Sequence, residues 1–236
     1  MIIDLKNVSF CWPKQEEPTL SIASMQVKKG EHVFLHGASG SGKTTLLNLL
    51  TGINTPQSGQ VEILGSNIAQ LSEAKRDRFR ADHLGVIFQQ FNLLPYLSVI
   101  ENVLLSCDFS KRRQQKAEST VGNAIESATQ LLLNMEISEK QLQSEVSSLS
   151  MGQQQRVAVA RALIGQPEII IADEPTSALD TDNRDRFLDL LFSESDKYGS
   201  TLLFVSHDSH IQQRFNRTIS LAEINQLGCT SHQVAR

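Results

Sequence analysis

The chain has 236 residues, 40% of them hydrophobic, which is enough for one large α/β domain or a core with a subdomain. Its net charge of −4 argues against a nucleic-acid or anionic-lipid partner, and its scattered cysteines, Cys11, Cys107 and Cys229, predict neither a metal site nor a disulfide. No apolar stretch approaches the roughly 18 to 20 residues of a membrane span and no basic-then-apolar leader begins the chain, so we expect a cytoplasmic protein that does not cross the bilayer.

The first 36 residues predict strands. Apolar residues alternate from Ile3 to Phe10 and again from Leu20 to Val27, with a turn-rich segment at residues 13–18 between them. The apolar run at residues 33–35 then leads as a strand into a glycine-rich segment, and residues 45–50 lead out of it as a helix.

The glycine-rich segment, residues 37–44, fits the pattern G-x-x-x-x-G-K-[S/T] that wraps nucleotide phosphates. Its glycines let backbone N–H groups turn inward, Lys43 reaches the β- and γ-phosphates, and Thr44 offers a hydroxyl to Mg²⁺. The dipole of the following helix faces the phosphates. The pattern predicts an ATP or GTP site, with these ligands: Gly37, Ala38, Ser39, Gly40, Ser41, Gly42, Lys43, Thr44 and Thr45.

Beyond this helix, short strands are predicted at residues 60–64 and 84–88, followed by a mainly helical stretch. Residues 111–116 are typical of a solvated lead-in. Steps of four, three, four and three residues predict one helical face, formed by Val121, Ile125, Ala128, Leu132 and Met135.

From residue 168 the pattern returns to strands and helices, with a buried strand at residues 169–172, a helix after Asp180 and a strand at 201–206. The first of these strands ends in Asp173 and Glu174, at the edge where open α/β sheets place their ligands. Asp173 is suited to hold Mg²⁺ from the second shell, and Glu174 to accept a proton from, or orient, the water that attacks the γ-phosphate. The alternative is that both acids cap the next helix.

The strand at residues 201–206 delivers His207 at its end, where the imidazole can reach the γ-phosphate or the water. A histidine after a strand is more often structural, but its position after Asp173 and Glu174 favours a catalytic role.

These residues together resemble the nucleotide-binding subunit of an ABC transporter, and the resemblance covers nearly the full chain. Six motifs stand in that family's order: the phosphate loop at 37–44, the Q-loop Gln89, a signature segment at 149–153, the Walker B segment at 170–174, a D-loop at 177–180 and the switch His207. The resemblance implies an α/β fold, a P-loop NTPase (RecA-like) core with an antiparallel β subdomain and a helical ABC-specific subdomain. The core would span about residues 1–88 and 151–236, and the helical subdomain about 89–150.

The resemblance also implies ATP and Mg²⁺ as cofactors and a second copy of the chain as partner. Glu174 and His207 would be catalytic, and Thr44, Gln89 and Asp173 would serve the metal. Trp12 stands where the family commonly stacks an aromatic ring on adenine, and plain edge packing is the alternative. Four residues would contact ATP held by the other copy: Ser150, Gly152, Gln153 and Asp180.

One residue of the signature departs from the family, since Met151 stands where glycine is usual. It adds a side chain to a crowded interface and removes a residue that tolerates positive φ. We expect the change to be tolerated, with some loss of dimer closure or turnover. The alternative, a degenerate site, is opposed by the presence of both Glu174 and His207.

Residues 89–95 resemble a narrower group, the ATPases that serve lipoprotein-release, macrolide-export and cell-division systems with FtsX-like permeases. This implies a separate integral-membrane permease that holds the ATPase on the cytoplasmic face of the inner (plasma) membrane. We expect exposed apolar residues near Gln89 to form a groove for a permease helix, and the alternative is that they pack the hinge internally: Phe91, Leu93, Leu94 and Tyr96.

The sequence therefore predicts an ATP-hydrolysing transport motor that dimerises head to tail. A permease-coupled ATPase that signals without transporting a substrate is the alternative. Soluble ABC ATPases of DNA repair or translation carry coiled coils, zinc hooks or two ATPase halves, for which 236 residues leave no room. No Asn-Lys-x-Asp segment of a guanine-specific GTPase occurs.

Overall fold

The computed structural model describes residues 1–177 and 179–228, which form two compact units. The first unit comprises residues 1–80 and the described residues from 203 onward, and the second comprises the described residues of 81–202. In chain order the strands and α-helices are β1 (Ile3–Phe10), β2 (Leu20–Val27), β3 (His32–His36), α1 (Lys43–Leu50), β4 (Ser58–Ile63), β5 (Ser66–Asn67), α2 (Glu73–His83), β6 (Leu84–Ile87), α3 (Val99–Asp108), α4 (Lys111–Val121), α5 (Ala124–Asn134), α6 (Met151–Leu163), β7 (Ile169–Asp173), α7 (Thr181–Tyr198), β8 (Thr201–Ser206), β9 (Arg217–Ser220) and α8 (Leu221–Ile224).

The first unit contains an antiparallel sheet in the order β2-β1-β4-β5. Leu5 stands opposite Met25 of β2 and Val61 of β4, and all three side chains are buried. This is the alternation that the sequence predicted for β1 and β2, because every second side chain of a strand points to the same face. The antiparallel subdomain is thereby confirmed.

The same unit carries the strand that leads into the phosphate loop. β3 pairs in parallel with β9 and lies between it and residues 203–206 of β8. Phe34 on β3 is fully buried, and its ring lies 6.3 Å from that of Phe204 and 5.3 Å from that of Phe215. A strand buried on both faces needs a continuous apolar run, which is what residues 33–35 supply.

In the second unit, β6 and β7 form a parallel pair over four residues of each strand, and the four residues of β7 that pair with β6, from Ile169 to Ala172, are all buried. Polar caps fix where the helices of this unit begin. Ser98 and Glu101 form a capping box at α3, and Ser110 and Asn123 accept backbone hydrogen bonds at the starts of α4 and α5.

The structure differs from the sequence prediction in the helical stretch. Residues 111–116 are the first half of α4 and not a lead-in to it; they are mostly exposed, as predicted, but Arg113 is only 3% exposed. The predicted single face at 121–135 is also wrong, because Gly122, with φ 97°, ends α4 and Asn123 caps a new helix. Ile125 is consequently 60% exposed, while Ala128, Leu132 and Met135 are buried as predicted.

The sequence predicts neither a membrane-spanning segment nor a disulfide. Within the part of the chain that the structure describes, no helix has both the length and the apolar character to cross a bilayer. Cys11 is half-buried and Cys107 buried, both as free thiols, and Cys229 lies outside the described residues.

Candidate active site

The phosphate loop in the first unit joins β3 to α1, and its backbone requires glycine at defined positions. Gly40 and Gly42 have φ values of 77° and 99°, which side chains rarely tolerate. A Cβ on Gly42 would lie 2.9 Å from Leu20 Cδ2, and one on Gly37 would lie 2.6 Å from Ser41 Oγ. Two glycines are therefore fixed by close packing as well as by the motif.

Lys43 is the first residue of α1, and its ammonium lies across the loop. The Nζ atom donates to the carbonyl oxygens of Gly37 at 2.7 Å and Ala38 at 3.0 Å. Thr44 is exposed in the first helical turn, where backbone N–H groups have no partner within the helix. A positive charge, a hydroxyl and a helix N-terminus thus share one short segment, as a polyphosphate site requires.

Trp12 lies beside this loop within the same unit. Its indole Nε1 donates to Thr45 Oγ1 at 3.3 Å, and its ring meets Phe10 edge-on at 5.1 Å. The side chain of Gln57 holds the preceding backbone through the N–H and C=O of Cys11, at 2.8 and 2.6 Å.

An open cavity of about 530 Å³ adjoins Trp12, a volume within the range of small-molecule sites. Its lining residues are Phe10, Cys11, Trp12, Pro13, Gln15, Ile53, Asn54, Thr55 and Gln57. This placement fits nucleobase stacking, while the Phe10 contact shows that Trp12 also packs by its edge.

In the second unit, β7 ends at Asp173, and Glu174 follows with a φ of 47°. A left-handed backbone is unusual for a residue that carries a side chain and precedes proline, and such strain clusters at sites of chemistry. Both carboxylates are half-buried. Neither caps the next helix: α7 is capped by Asp180, whose carboxylate accepts from Asn183 N at 2.9 Å.

That cap also affects acidity, because the backbone hydrogen bond from Asn183 lowers the pKa of Asp180 below its ordinary value. The Asp180 side chain is exposed to solvent.

The signature segment begins α6 and presents its polar residues outward. Ser150 is the exposed N-cap, and it forms a capping box with Gln153 through bonds of 3.1 and 3.3 Å. A Cβ on Gly152 would meet nothing within 4 Å.

Met151 is 57% exposed and is not among the residues with positive φ. The loss of glycine's tolerance for positive φ therefore has no consequence at this position, because the residue lies in the first turn of a regular helix.

Gln89 is exposed and lies two residues after β6. The residues that follow it are held by Arg161 of α6. Phe91 and Asn92 have φ values of 59° and 50°, and the Arg161 guanidinium donates to both of their carbonyl oxygens. Burial lowers the pKa of Arg161.

The expected exposed apolar set is only partly correct. Phe91 is 4% exposed and packs inward, Leu93 and Leu94 are half-buried, and Tyr96 is 73% exposed. The buried Asn102 side chain fixes this loop by accepting from Leu94 N and donating to its carbonyl.

The predicted site residues thus divide between the units. Trp12, the phosphate loop, Thr45 and the exposed His207 belong to the first, and Gln89, the signature segment, Asp173, Glu174 and Asp180 belong to the second. Sequence reasoning missed Gln57, Arg161 and Gln155, whose side chains hold site segments by their backbone. No sequence motif identifies these three residues, because they bind backbone groups, which every residue type carries.

The comparisons with known proteins agree with this geometry. The family model described as ABC transporter matches residues 20–177. The lipoprotein-releasing system ATP-binding protein LolD of Francisella tularensis is 35% identical over 225 residues, which cover 94% of each chain. The macrolide export ATP-binding/permease protein MacB of Rhodopirellula baltica is 35% identical over 206 residues, 87% of this chain and 29% of that protein.

Among solved structures, the dimeric ABC transporter cassette MJ0796 is 35% identical with a TM-score of 0.78, over 92% of this chain and 93% of that one. MJ0796 comes from Methanocaldococcus jannaschii, and a second dimeric structure of it, in a post-hydrolysis state bound to ADP and Pi, matches equally well at 34% identity and a TM-score of 0.78.

The chain therefore belongs to the ABC transporter family. It is an ATP-binding cassette and an ATPase with the P-loop NTPase fold, and its relatives include LolD and MacB, which belong to the lipoprotein-release and macrolide-export group that the resemblance indicated.

Proposed function

We propose that this ATPase dimerises head to tail, holds two ATP molecules with Mg²⁺ between the copies, and powers a separate membrane permease. The observation that carries the proposal is the outward presentation of the signature segment. Ser150 is exposed at the N-terminus of α6, and the space around Gly152 is open. A helix N-terminus with a free approach suits an anion held by another chain. The dimeric structures of MJ0796 support this reading.

Each predicted residue takes a defined role in this cycle. Lys43 binds the β- and γ-phosphates, and Trp12 stacks on adenine. Glu174 accepts the proton of the attacking water or orients it, and His207 contacts the γ-phosphate. Gln153 supports Ser150 by its capping contact, and Asp180 approaches ATP held by the partner copy.

Thr44, Gln89 and Asp173 offer the oxygen donors that Mg²⁺ prefers. Beside a nucleotide, Mg²⁺ is usually held by one or two protein oxygens together with the substrate phosphates. When bound, Mg²⁺ neutralises charge on the phosphate oxygens.

The permease is proposed to be FtsX-like and to dock on the helical subdomain, about residues 89–150, which would place this protein on the cytoplasmic face of the membrane. Support comes from residues 89–95, from the likeness to LolD, and from MacB, whose name joins ATP-binding and permease parts. Tyr96 is the most exposed of the apolar side chains near Gln89, on a loop fixed by Asn102. Its ring is suited to insert beside a short permease helix.

Tyr96→Glu tests this proposal, with Phe109→Glu as the matched control. Phe109 is 71% exposed and lies at the end of α3, so it offers a similar ring at another point of the same unit. The permease, encoded beside this chain or captured with it from membranes, should lose binding and ATPase stimulation with Tyr96→Glu and keep both with Phe109→Glu. Basal ATPase should stay within a few-fold for both variants. Full coupling of Tyr96→Glu to the permease would place the docking surface elsewhere.

A further inference from the structure

Gln155 is a buried side chain of α6 that the mechanism so far leaves without a role. It is 0% exposed, and its Nε2 atom donates to the carbonyl oxygen of Pro175 at 2.6 Å. Its Oε1 atom is buried and has no hydrogen-bond partner among the described residues. Burying an amide with one unpaired oxygen is unfavourable, and such groups in native proteins call for an explanation.

The carbonyl oxygen that accepts this hydrogen bond from Gln155 belongs to Pro175, the residue that follows Glu174. Glu174 has a φ of 47°, and the next residue is proline, whose nitrogen has no hydrogen to donate. At residues 174–175, the backbone carbonyl oxygens therefore accept the hydrogen bonds that hold the turn. The turn is closed by Ser177 N, which donates to Glu174 O at 3.2 Å, and by Gln155 at Pro175 O. Strained backbone persists only where its surroundings fix it, and these two bonds supply that fixation.

Gln155 stands five residues after the cap that begins the signature helix. It lines a small cavity of about 10 Å³ together with Gly152, Leu179 and Asn183, residues from the signature segment and from the region around the D-loop. One short helix therefore carries Ser150 at its exposed end and holds the loop of Glu174 from its buried face.

We propose that Gln155 is a positioning residue that holds Glu174 in the direction needed for hydrolysis and ties that direction to the signature helix. A shift of α6 on engagement of ATP by Ser150 then moves Pro175 and reorients the carboxylate. The inference rests on the proposed catalytic role of Glu174.

The test is a double-mutant cycle between Gln155→Leu and Glu174→Gln. Leu fills the site without the amide, so Gln155→Leu should lower kcat about 10- to 100-fold, the range seen for misplaced catalytic groups, and leave KM for ATP within about threefold. In the Glu174→Gln background, measured by single-turnover hydrolysis, the same change should cause no further loss, because the carboxylate that it misplaces is already absent.

The matched control is Gln114→Leu on α4, which makes the same change of side chain in the same unit. Gln114 is exposed, and its Nε2 donates to Glu118 Oε1 on its own helix, so it contacts none of the assigned site residues. This variant should keep kcat within about twofold of wild type. If Gln155→Leu melts below the assay temperature, Gln155→Met, with a more flexible side chain of similar length, goes through the same cycle.

Equal factors of loss from Gln155→Leu in both backgrounds would overturn the inference while leaving Glu174 in its catalytic role. A Glu174→Gln variant that turns over like wild type would instead remove Glu174 from catalysis, and the inference with it. An unchanged kcat in folded Gln155→Leu or Gln155→Met would also overturn it.

Discussion

Lys43 and Glu174 divide the work on ATP between binding and hydrolysis in the proposed cycle. Lys43 carries the positive charge of the phosphate loop, and its two bonds to loop carbonyls hold the ammonium where phosphates enter. Glu174 directly follows β7 and has a left-handed backbone conformation, with a φ of 47°. A change at either residue should therefore affect a different step.

Glu174→Gln should bind ATP about as well as wild type and hydrolyse it roughly 10² to 10⁴ times more slowly, because the amide keeps the shape and loses the proton acceptor. ATP should then lock the dimer, which size-exclusion chromatography measures. Lys43→Ala serves as the contrast: it should lose nucleotide affinity, since each charge-assisted bond to phosphate contributes on the order of 1.5 to 3 kcal/mol. Near-wild-type turnover of Glu174→Gln would contradict this assignment.

At this scale the sequence was informative where a function needs a fixed residue type at a fixed spacing. The phosphate loop, Asp173 and His207 were predicted this way, and in the structure each lies at a strand end or a helix start. The burial of individual side chains was harder to predict from the sequence. Phe91 is buried because a left-handed turn held by Arg161 points it inward, and no local pattern predicts that turn.

Arg113 anchors one element to another: it belongs to α4 and binds the end of α6. Its guanidinium donates to the carbonyl oxygens of Ile164 at 2.7 Å and Ala162 at 2.6 Å, and burial lowers its pKa to about 10. These carbonyls are among those that a helix C-terminus leaves unpaired, and a cation there also suits the helix dipole. Gly165 makes the approach possible, since a Cβ there would lie 2.5 Å from Arg113 O.

Arg113→Met should lower the free energy of unfolding by about 2 to 4 kcal/mol, because it removes charged hydrogen bonds and leaves buried carbonyls unpaired. Lys111→Met is the matched control, since Lys111 is exposed and its loss changes the net charge equally. That control should stay within about 0.5 kcal/mol of wild type in urea denaturation. Equal stability of the two variants would show that Arg113 does not anchor α6.

Glu168 joins α4 to the start of β7 through a carboxylate with three partners. It accepts from Arg112, from Lys116 at 3.2 Å and from the His83 ring at 3.0 Å. Burial alone raises the pKa of Glu168, but the hydrogen bonds from His83, Arg112 and Lys116 together hold it well below its ordinary value of 4.5. A lowered folded-state pKa stabilises the protein above the unfolded value, and this stabilisation is lost as the pH falls toward the folded one.

Glu168→Gln should therefore reduce stability by roughly 1 to 2 kcal/mol at pH 7, with a smaller difference from wild type at each step below about pH 4.5. Thermal melts of both proteins between pH 7 and pH 3 measure this, with the exposed Glu139→Gln as control. A difference that is independent of pH would mean that the ionised carboxylate contributes nothing.

Elements were predicted best where one period runs unbroken. The strands β1, β2, β7 and β8 follow from alternating or continuous apolar runs, with ends correct to one or two residues. The break between α4 and α5 was missed because the apolar spacing continues across Gly122 and Asn123, so the periodicity remained that of one helix.

At the scale of the whole molecule, the two units carry complementary sets of motifs. The first holds the phosphate loop and Trp12, and the second holds the signature segment and the Walker B carboxylates. The proposed dimer completes each site with Ser150 and Gly152 of the other copy, so neither copy should hydrolyse ATP alone. The composite site was predicted from the resemblance of the motifs to the family, because the geometry of one chain alone does not define an interface between two copies.

The most direct test mixes a Lys43→Ala chain with a Ser150→Arg chain. In a head-to-tail dimer both lesions fall in one site and the other site is intact. Random pairing of equal amounts should restore about a quarter of wild-type activity if the sites act independently. Each variant alone should be nearly inactive, and wild-type activity per chain should rise with protein concentration. A mixture no more active than its two components, or a wild-type rate that stays constant where the chain is monomeric, would contradict the composite site.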